Sequence, residues 1–295
     1  MTLSNFDQAQ LPAAKEFIST NFDELKATLI SLAKIPGIAW EAFDANELER
    51  SAQAVAKLFG DTGLFDFVDI RRASADGKPG APAVVAKRAA KNGKPQVLLY
   101  AHHDVQPPGD ENVWQSKPFE PVEKDGRLFC RGAADDKAGV VTHLAAVKAL
   151  ADICGADFDL GLTLFIEGEE EAGSPTFRNF LNENKDDLRA DVIIVADSGN
   201  WTVDIPALTT TLRGLVAQVI EVSTLDHALH SGMYGGAVPD AMLAMIKLLA
   251  TLHDDRGNVA VKGLKQGTAD DLPYSDEQLN TDSGLLPGAQ QIGDG

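Results

Sequence analysis

Side chains that can bind a metal ion stand where short apolar segments of the sequence end. Each segment is rich in Val, Ile and Leu, a composition typical of strands buried on both faces of a parallel sheet. The three junctions are residues 97–101 before His102, His103 and Asp104, residues 162–166 before the acidic segment 167–171, and residues 192–196 before Asp197. Ligands bind beyond the carboxyl ends of strands in open α/β sheets, so we expect these side chains to meet along one edge. The pattern predicts a metal site.

Of the two adjacent histidines, His102 is the better candidate ligand. Side chains alternate across a strand, so His102 and Asp104 share one side while His103 faces the other. A ligating histidine usually donates its second ring N–H to a carboxylate, which Asp104 can accept. Taken alone, however, a histidine at a strand end is more often an ordinary hydrogen-bonded residue.

A fourth carboxylate, Asp135, precedes the apolar-periodic segment 140–150, which is typical of a helix. Aspartates are common at helix starts, where they cap backbone N–H groups and complement the helix dipole. The pair Asp135 and Asp136 therefore has an ordinary structural interpretation. A carboxylate at this place could also bridge two cations with its two oxygens, which capping does not require.

Three consecutive glutamates, Glu169, Glu170 and Glu171, follow the next predicted strand. Neighbouring side chains point in different directions, so one glutamate could hold a metal while the next faces a metal-bound water. A carboxylate in a water-poor pocket has a raised pKa, which suits it to take that water's proton. The alternative is that these glutamates form a solvated acidic turn. Asp197 also has an ordinary structural interpretation, as a turn residue in the turn-forming sequence Asp-Ser-Gly.

The combination of these residues is more specific than any one of them. With Asp135, Glu171 and Asp197 ionised and one hydroxide present, two divalent zinc ions would be electrically balanced. Imidazole and carboxylate ligands suit zinc better than calcium or magnesium. The expected cofactors are therefore two Zn²⁺ ions, with Mn²⁺ or Co²⁺ as alternatives.

The elements that must position these residues alternate between helix and strand. This order predicts right-handed crossovers and an α/β fold with a mostly parallel central sheet flanked by helices. Predicted helices cover residues 12–34, 45–58, 137–152 and 176–184, predicted strands cover 65–71, 83–87 and the three apolar segments, and 105–128 is a predicted functional loop.

The pattern changes near residue 205. Residues 208–211 and 215–222 are predicted strands, and residues 239–253 are a predicted helix with an apolar face. We therefore expect a catalytic metal-binding domain over residues 1–205 and part of an α+β domain over residues 206–295.

Composition excludes several functional classes. The chain of 295 residues has a formal net charge of −18, which argues against binding nucleic acid or an anionic membrane surface. Its two cysteines, Cys130 and Cys154, lack CxxC spacing, which suits reduced thiols in the cytosol. Neither a signal peptide nor an apolar run of membrane-spanning length is visible, so we expect a cytoplasmic protein.

Five segments, in this order, resemble the M20 family of dinuclear zinc peptidases and amidohydrolases. They are YAHHDV (100–105), RGAADDK (131–137), EEEAGS (169–174), ADS (196–198) and HSGMYGG (230–236). The patterns HxDVQP and GAADDK are most similar to the carnosinase-type dipeptidase branch of that family.

The resemblance implies a role for each metal ligand. His102 and Asp197 would bind one zinc, and Glu171 would bind the second. Asp135 would bridge both ions and be joined to Asp136 by a cis peptide bond.

The resemblance also implies three residues that act without binding metal. Asp104 would orient the histidine ligand, and Glu170 would be the general base. The second domain would be the family's lid and dimerisation domain. There His230 would reach a partner subunit's active site and stabilise the tetrahedral oxyanion. The implied partners are a small peptide substrate and, in the full-length form, a second copy bound through the lid.

The implied reaction is hydrolysis of the peptide bond of a dipeptide or similar small peptide by a metal-activated water. One alternative within the family is an amidohydrolase that acts on N-acyl amino acids. Another is a catalytically inactive fragment, because family members return from the lid to the catalytic domain and supply a last histidine ligand for the second zinc. After His230 this sequence has only His253. We therefore expect a C-terminally truncated chain with an incomplete second zinc site.

Overall fold

The computed structural model describes residues 10–210, 212, 214–265, 267, 275–286 and 288–289. The chain divides into two compact units between residues 210 and 211. In the described part of the chain, every helix is too short or too polar to cross a bilayer.

A five-stranded sheet forms the centre of the first unit. The strands of this unit, including two small hairpins, are β1 (Phe67–Arg71), β2 (Ser74–Ala75), β3 (Lys78–Pro79), β4 (Ala83–Arg88), β5 (Gln96–His102), β6 (Val122–Lys124), β7 (Arg127–Phe129), β8 (Gly161–Glu167) and β9 (Val192–Val195). The sheet has the order β1-β4-β8-β5-β9, with β8, β5 and β9 parallel and β4 antiparallel to both of its neighbours. Four of the five strands thus point the same way, which confirms the predicted mostly parallel sheet.

Helices flank this sheet. They are α1 (Gln10–Thr20), α2 (Phe22–Ala33), α3 (Ala45–Gly60), α4 (Ala138–Cys154), α5 (Phe177–Glu183) and α6 (Lys185–Leu188). The single helix predicted over 12–34 is two helices, because the side-chain amide of Asn21 donates to the carbonyl of Phe17 at 2.8 Å and the chain bends there. The predicted loop 105–128 contains β6 and the start of β7.

Both faces of the sheet are covered by apolar side chains. Alternate residues of each inner strand contribute to different clusters: Leu164 and Ile166 pack with Phe59 of α3, while Phe165 packs with Phe180 of α5. Every residue of β8 is buried. Because a slip of one residue would move each side chain to the opposite face, this packing fixes the strand register and so the place where each strand ends.

The second unit contains α7 (Ser231–Tyr234), α8 (Ala241–Ala250) and α9 (Asp276–Ser283). The prediction of strands at residues 208–211 and 215–222 is wrong, because the described residues of both segments are irregular. Residue 211 lies outside the described residues. Leu208, Leu215 and Val219 are 92%, 82% and 98% exposed. A strand forms where a neighbouring strand and a packing surface exist, so the apolar character of these segments alone does not make them strands. Among the described residues this unit's β structure is one bridge, between His253 and Val259.

Candidate metal centre

Three parallel strands bring the predicted ligands to one edge of the sheet. His102 is the last residue of β5 and lies in register with Glu167, the last residue of β8. β9 pairs with the other side of β5 and ends two residues before Asp197. The short turns after these strands therefore begin side by side, as the sequence predicted.

The ring of His102 is oriented by Asp104. Its Nδ1 lies 3.1 Å from the Asp104 carbonyl oxygen and 3.3 Å from Asp104 Oδ1. Both neighbours are acceptors, so Nδ1 carries a proton and Nε2 is the ring nitrogen that is left to bind a metal ion. That Nε2 lies 3.0 Å from Asp135 Oδ1 and 3.9 Å from oxygens of Glu170 and Asp197.

This arrangement fits a divalent cation. A nitrogen lone pair that faces several carboxylate oxygens is unfavourable unless a proton or a metal ion lies between them. The possible ligand atoms form two groups, and within each group they lie within 4.8 Å of one another. The Glu171 group consists of His102, Asp135 and Glu171. The Asp197 group consists of His102, Asp136 and Asp197. One imidazole with carboxylates is a donor set suited to zinc.

The crowded carboxylates shift the protonation of their neighbours. Burial opposes a charge on His102, but the hydrogen bond and charge of Asp104, with further carboxylates nearby, raise its pKa to about 10. Burial, assisted by adjacent carboxylates, raises the pKa of Glu170 and of Glu171 above the ordinary value. A bound cation would relieve this crowding.

Asp104 is fully buried and joins three parts of the centre. Besides facing the ring of His102, it accepts the backbone N–H of Glu170 on Oδ1 at 3.2 Å and that of Glu171 on Oδ2 at 3.0 Å. One carboxylate thus fixes both the histidine ring and the backbone that carries two glutamates.

The two aspartates before α4 have different environments. Asp136 is buried, and its carboxylate accepts the backbone N–H groups of His102 at 3.0 Å and Gly139 at 3.2 Å. The helix-start interpretation therefore applies to Asp136, while Asp135 is exposed and reaches His102. The peptide bond between the two aspartates is cis. Burial raises the pKa of Asp136 to about 7, against the effect of its backbone hydrogen bonds.

Sequence reasoning missed Asp136 as a member of a possible ligand group. The adjacent pair of aspartates was the available signal. Which carboxylate turns inward depends on the backbone path before α4, and the sequence does not report that path.

The three consecutive glutamates separate into three environments. Glu169 is buried and accepts hydrogen bonds from the backbone N–H and hydroxyl of Thr176, at 2.7 and 2.6 Å, and from the N–H of Ala81 at 3.0 Å. Glu170 faces His102, and Glu171 belongs to a ligand group. The first glutamate therefore supports the turn, while the next two face the centre.

His103 and His230 lie outside both ligand groups. His103 is buried on the opposite side of its segment, with Nε2 2.7 Å from the carbonyl oxygen of Pro82. His230 belongs to the second unit, where it is exposed and precedes α7. Its Nδ1 accepts the N–H of Gly232 at 3.1 Å, so the neutral ring carries its proton on Nε2.

Known dipeptidases are similar to this chain in sequence. A cysteinylglycine-S-conjugate dipeptidase of Corynebacterium striatum is 37% identical over 215 residues, which cover 72% of this chain and 47% of that protein. A Beta-Ala-His dipeptidase of Rattus norvegicus is 30% identical and a Cys-Gly metallodipeptidase of Schizosaccharomyces pombe is also 30% identical; the matches cover 89% and 88% of this chain and 53% and 56% of those proteins. The chain thus spans about half the length of these relatives.

Solved structures share the fold. The dipeptidase Dug1p of Saccharomyces cerevisiae has a TM-score of 0.68 at 21% identity, covering 93% of this chain and 61% of the other. Human carnosine dipeptidase 1 has a TM-score of 0.60 at 24% identity, covering 94% and 59%. Residues 98–279, which include the strand ends and their acidic turns, match the family described as peptidase family M20/M25/M40. With that match, the chain belongs to peptidase family M20/M25/M40.

Proposed function

We propose that this centre serves metal-dependent hydrolysis of dipeptides and similar small peptides. The observation that carries the proposal is the position of His102 Nε2, which faces the oxygens of Asp135, Glu170 and Asp197 at 3.0 to 3.9 Å. Family membership and the names of the three similar proteins given above, each a dipeptidase, support the same reaction.

In this proposal the chain's carboxylates and imidazole hold two zinc ions. His102 and Asp197 would hold one, Glu171 would hold the second, and Asp135 would contribute to both. Mn²⁺ and Co²⁺ are alternatives, because both accept the same nitrogen and oxygen ligands. When bound, the ions would lower the pKa of a water molecule to about 7 and polarise the scissile carbonyl.

Glu170 is the proposed general base. Its carboxylate faces the centre beside His102, and its pKa is raised, chiefly by burial. A carboxylate with a raised pKa can take the proton of the attacking water and return it to the leaving amine. Asp104 holds the backbone N–H of Glu170 and so fixes where this base lies.

His230 is the proposed oxyanion donor, acting on the active site of a second copy of the chain. Its Nδ1 accepts a backbone N–H, which leaves Nε2–H as the ring donor, the polarity that a developing oxyanion requires. This role implies a homodimer formed through the second unit. We also propose a cytoplasmic location, which suits the two free cysteines.

The test of the function is hydrolysis of a panel of dipeptides and N-acyl amino acids by the zinc-loaded protein. We expect cleavage of dipeptides, loss of activity with a chelator, and recovery when zinc is returned. Glu170→Gln should lower kcat by about 10² to 10⁴ while zinc still binds, because only the proton acceptor is removed.

Glu183→Gln, an exposed glutamate of α5, is the matched control and should retain activity. Cleavage of N-acyl amino acids alone would favour the amidohydrolase alternative. Absence of hydrolysis by the zinc-loaded protein, or hydrolysis unaffected by both the chelator and Glu170→Gln, would contradict the proposal.

A further inference from the structure

The side chain of Gln106 is committed to a single residue of the metal centre. Its Nε2 donates to Glu171 Oε2 at 2.7 Å and to the Glu171 carbonyl oxygen at 3.1 Å. Both hydrogens of the amide group are thus used on Glu171. Gln106 is half-buried and belongs to the HxDVQP pattern. The proposed reaction gives this residue no role.

Alternation along the chain explains why a glutamine two residues beyond Asp104 reaches the centre. His102, Asp104 and Gln106 all contact the centre, at every second position from the end of β5 onward. The residues between them face elsewhere: His103 contacts Ser51 and Pro82, and Val105 is fully buried. The segment therefore supplies a ligand, the carboxylate that orients it, and a donor to a second ligand.

The contact with Gln106 determines how Glu171 can meet a cation. Holding Oε2 while the backbone carbonyl is also held restricts the side-chain torsions of Glu171 and fixes the direction of Oε1. A neutral donor also favours the ionised carboxylate without bringing a positive charge that would repel a metal ion. Trp40 contacts the same residue, but its Nε1 donates to the Glu171 carbonyl at 3.2 Å and touches the backbone alone.

We propose that Gln106 is a positioning residue that sets the affinity of the ion that Glu171 would hold. This inference rests on the metal centre of the proposed function. It is specific to one ion, because the hydrogen bonds of Gln106 go to Glu171 and not to Asp136 or Asp197 of the other group.

The experiment is a zinc titration of the metal-free full chain in competition with a chromophoric chelator. A parallel titration with Co²⁺ follows the visible absorption of each bound ion. The parent should bind two ions, and the ion held by Glu171 should be the weaker one, as expected for the incomplete second site. Gln106→Met keeps the length of the side chain and removes the donor, so it should weaken one ion by about 10- to 100-fold and leave the other unchanged.

Two further variants show whether a change in zinc affinity comes from the hydrogen bond to the Glu171 carboxylate or from any change in the loop. Trp40→Phe, which removes a backbone contact at the same residue, should change neither affinity by more than about threefold. Gln115→Met makes the same substitution at an exposed glutamine of the same loop and should bind zinc like the parent.

Three results would overturn the inference: parental affinities in Gln106→Met, equal weakening of both ions, or a parent that binds a single ion. These results are distinct from failure of the proposed function. If the parent binds two ions but cleaves no peptide, the proposed function is refuted. The zinc titration of Gln106→Met would still test the role of Gln106, because it measures metal affinity and not cleavage. A parent that cleaves dipeptides with one bound ion would refute the role of Gln106 alone.

Discussion

Asp104 is a single side chain on which three neighbours depend. It faces Nδ1 of His102 and accepts the backbone N–H groups of Glu170 and Glu171. Partners of this kind orient metal ligands, and their loss typically lowers metal affinity by about 10- to 100-fold. The buried carboxylate therefore links the proposed histidine ligand, base and second-ion ligand in one hydrogen-bond network.

Asp104→Asn should lower zinc affinity by about 10- to 100-fold. The amide group places an N–H₂ donor at one of the two oxygen positions, so either the donors of His102 and Glu170, which share Oδ1, or the donor of Glu171 loses this acceptor. Zinc titration of the metal-free protein measures the effect, with the exposed Asp152→Asn as control. Unchanged affinity in Asp104→Asn would show that the ring of His102 is held by other contacts.

The raised pKa of His102 predicts how zinc binding depends on pH. Below its pKa of about 10 the metal-free ring is protonated, whereas a ligating ring needs the Nε2 lone pair. Zinc uptake should therefore release a proton, and affinity should rise with pH up to that value. Calorimetric titrations between about pH 6 and 9, in buffers of different ionisation enthalpy, measure the protons released. Affinity independent of pH would contradict this assignment.

Much of the centre is predictable at the residue scale because its members follow recognisable strands. His102, Asp104 and Asp197 could be placed from strand ends and alternation alone. The division of labour among Glu169, Glu170 and Glu171 could not, because it depends on which carboxylate finds the N–H groups of Thr176 and Ala81. Gln106 is not a residue type that usually binds a metal ion, so its contact with Glu171 could not be predicted from the sequence.

At the scale of elements, Glu169 joins the turn after β8 to two other segments. It accepts hydrogen bonds from Thr176, which precedes α5, and from Ala81, which precedes β4. These bonds are made by a carboxylate that is 6% exposed, so water cannot replace them. The turn that carries the proposed base is thereby attached to elements on both sides.

Glu169→Ala should lower the free energy of unfolding by about 2 to 4 kcal/mol, because buried N–H donors lose a charged acceptor. Glu169→Gln should cost less, since its carbonyl oxygen still accepts. Urea denaturation monitored by circular dichroism measures the change, and Glu183→Ala is the surface control. A loss equal to that of the control would mean that the donors find other acceptors.

The elements of the first unit were predictable because their patterns agree with their packing. β5, β8 and α3 have the residues that their buried positions require. The errors lie where local pattern and surroundings differ: Asn21 interrupts an otherwise helical pattern, and residues 215–222 are apolar without a partner strand. Tertiary contacts, which decide these cases, are not local properties of the sequence.

At the scale of the whole molecule, β9 is an edge of the sheet. Among the described residues it pairs with β5 on one side, and all four of its residues are exposed, Ile193 by 63%. An exposed apolar edge strand offers unpaired backbone groups and apolar side chains to another chain.

We expect this chain to self-associate as its concentration rises, and Ile193→Lys to reduce the association, because a charge on an edge strand opposes pairing with another chain. Sedimentation velocity over a concentration series measures the effect. Val113→Lys, at an exposed apolar residue away from the sheet, is the control. Equal association of both variants and the parent would place the contact elsewhere.

The alternation of His102, Asp104 and Gln106 also limits how this protein can diverge. Inserting or deleting one amino acid between His102 and Gln106 would invert which side chains point toward the carboxylates, so ring, acceptor and amide could not all remain in place. A replacement of an intervening residue that fits its buried surroundings would leave that geometry intact. Related genes should therefore keep the number of these intervening residues constant.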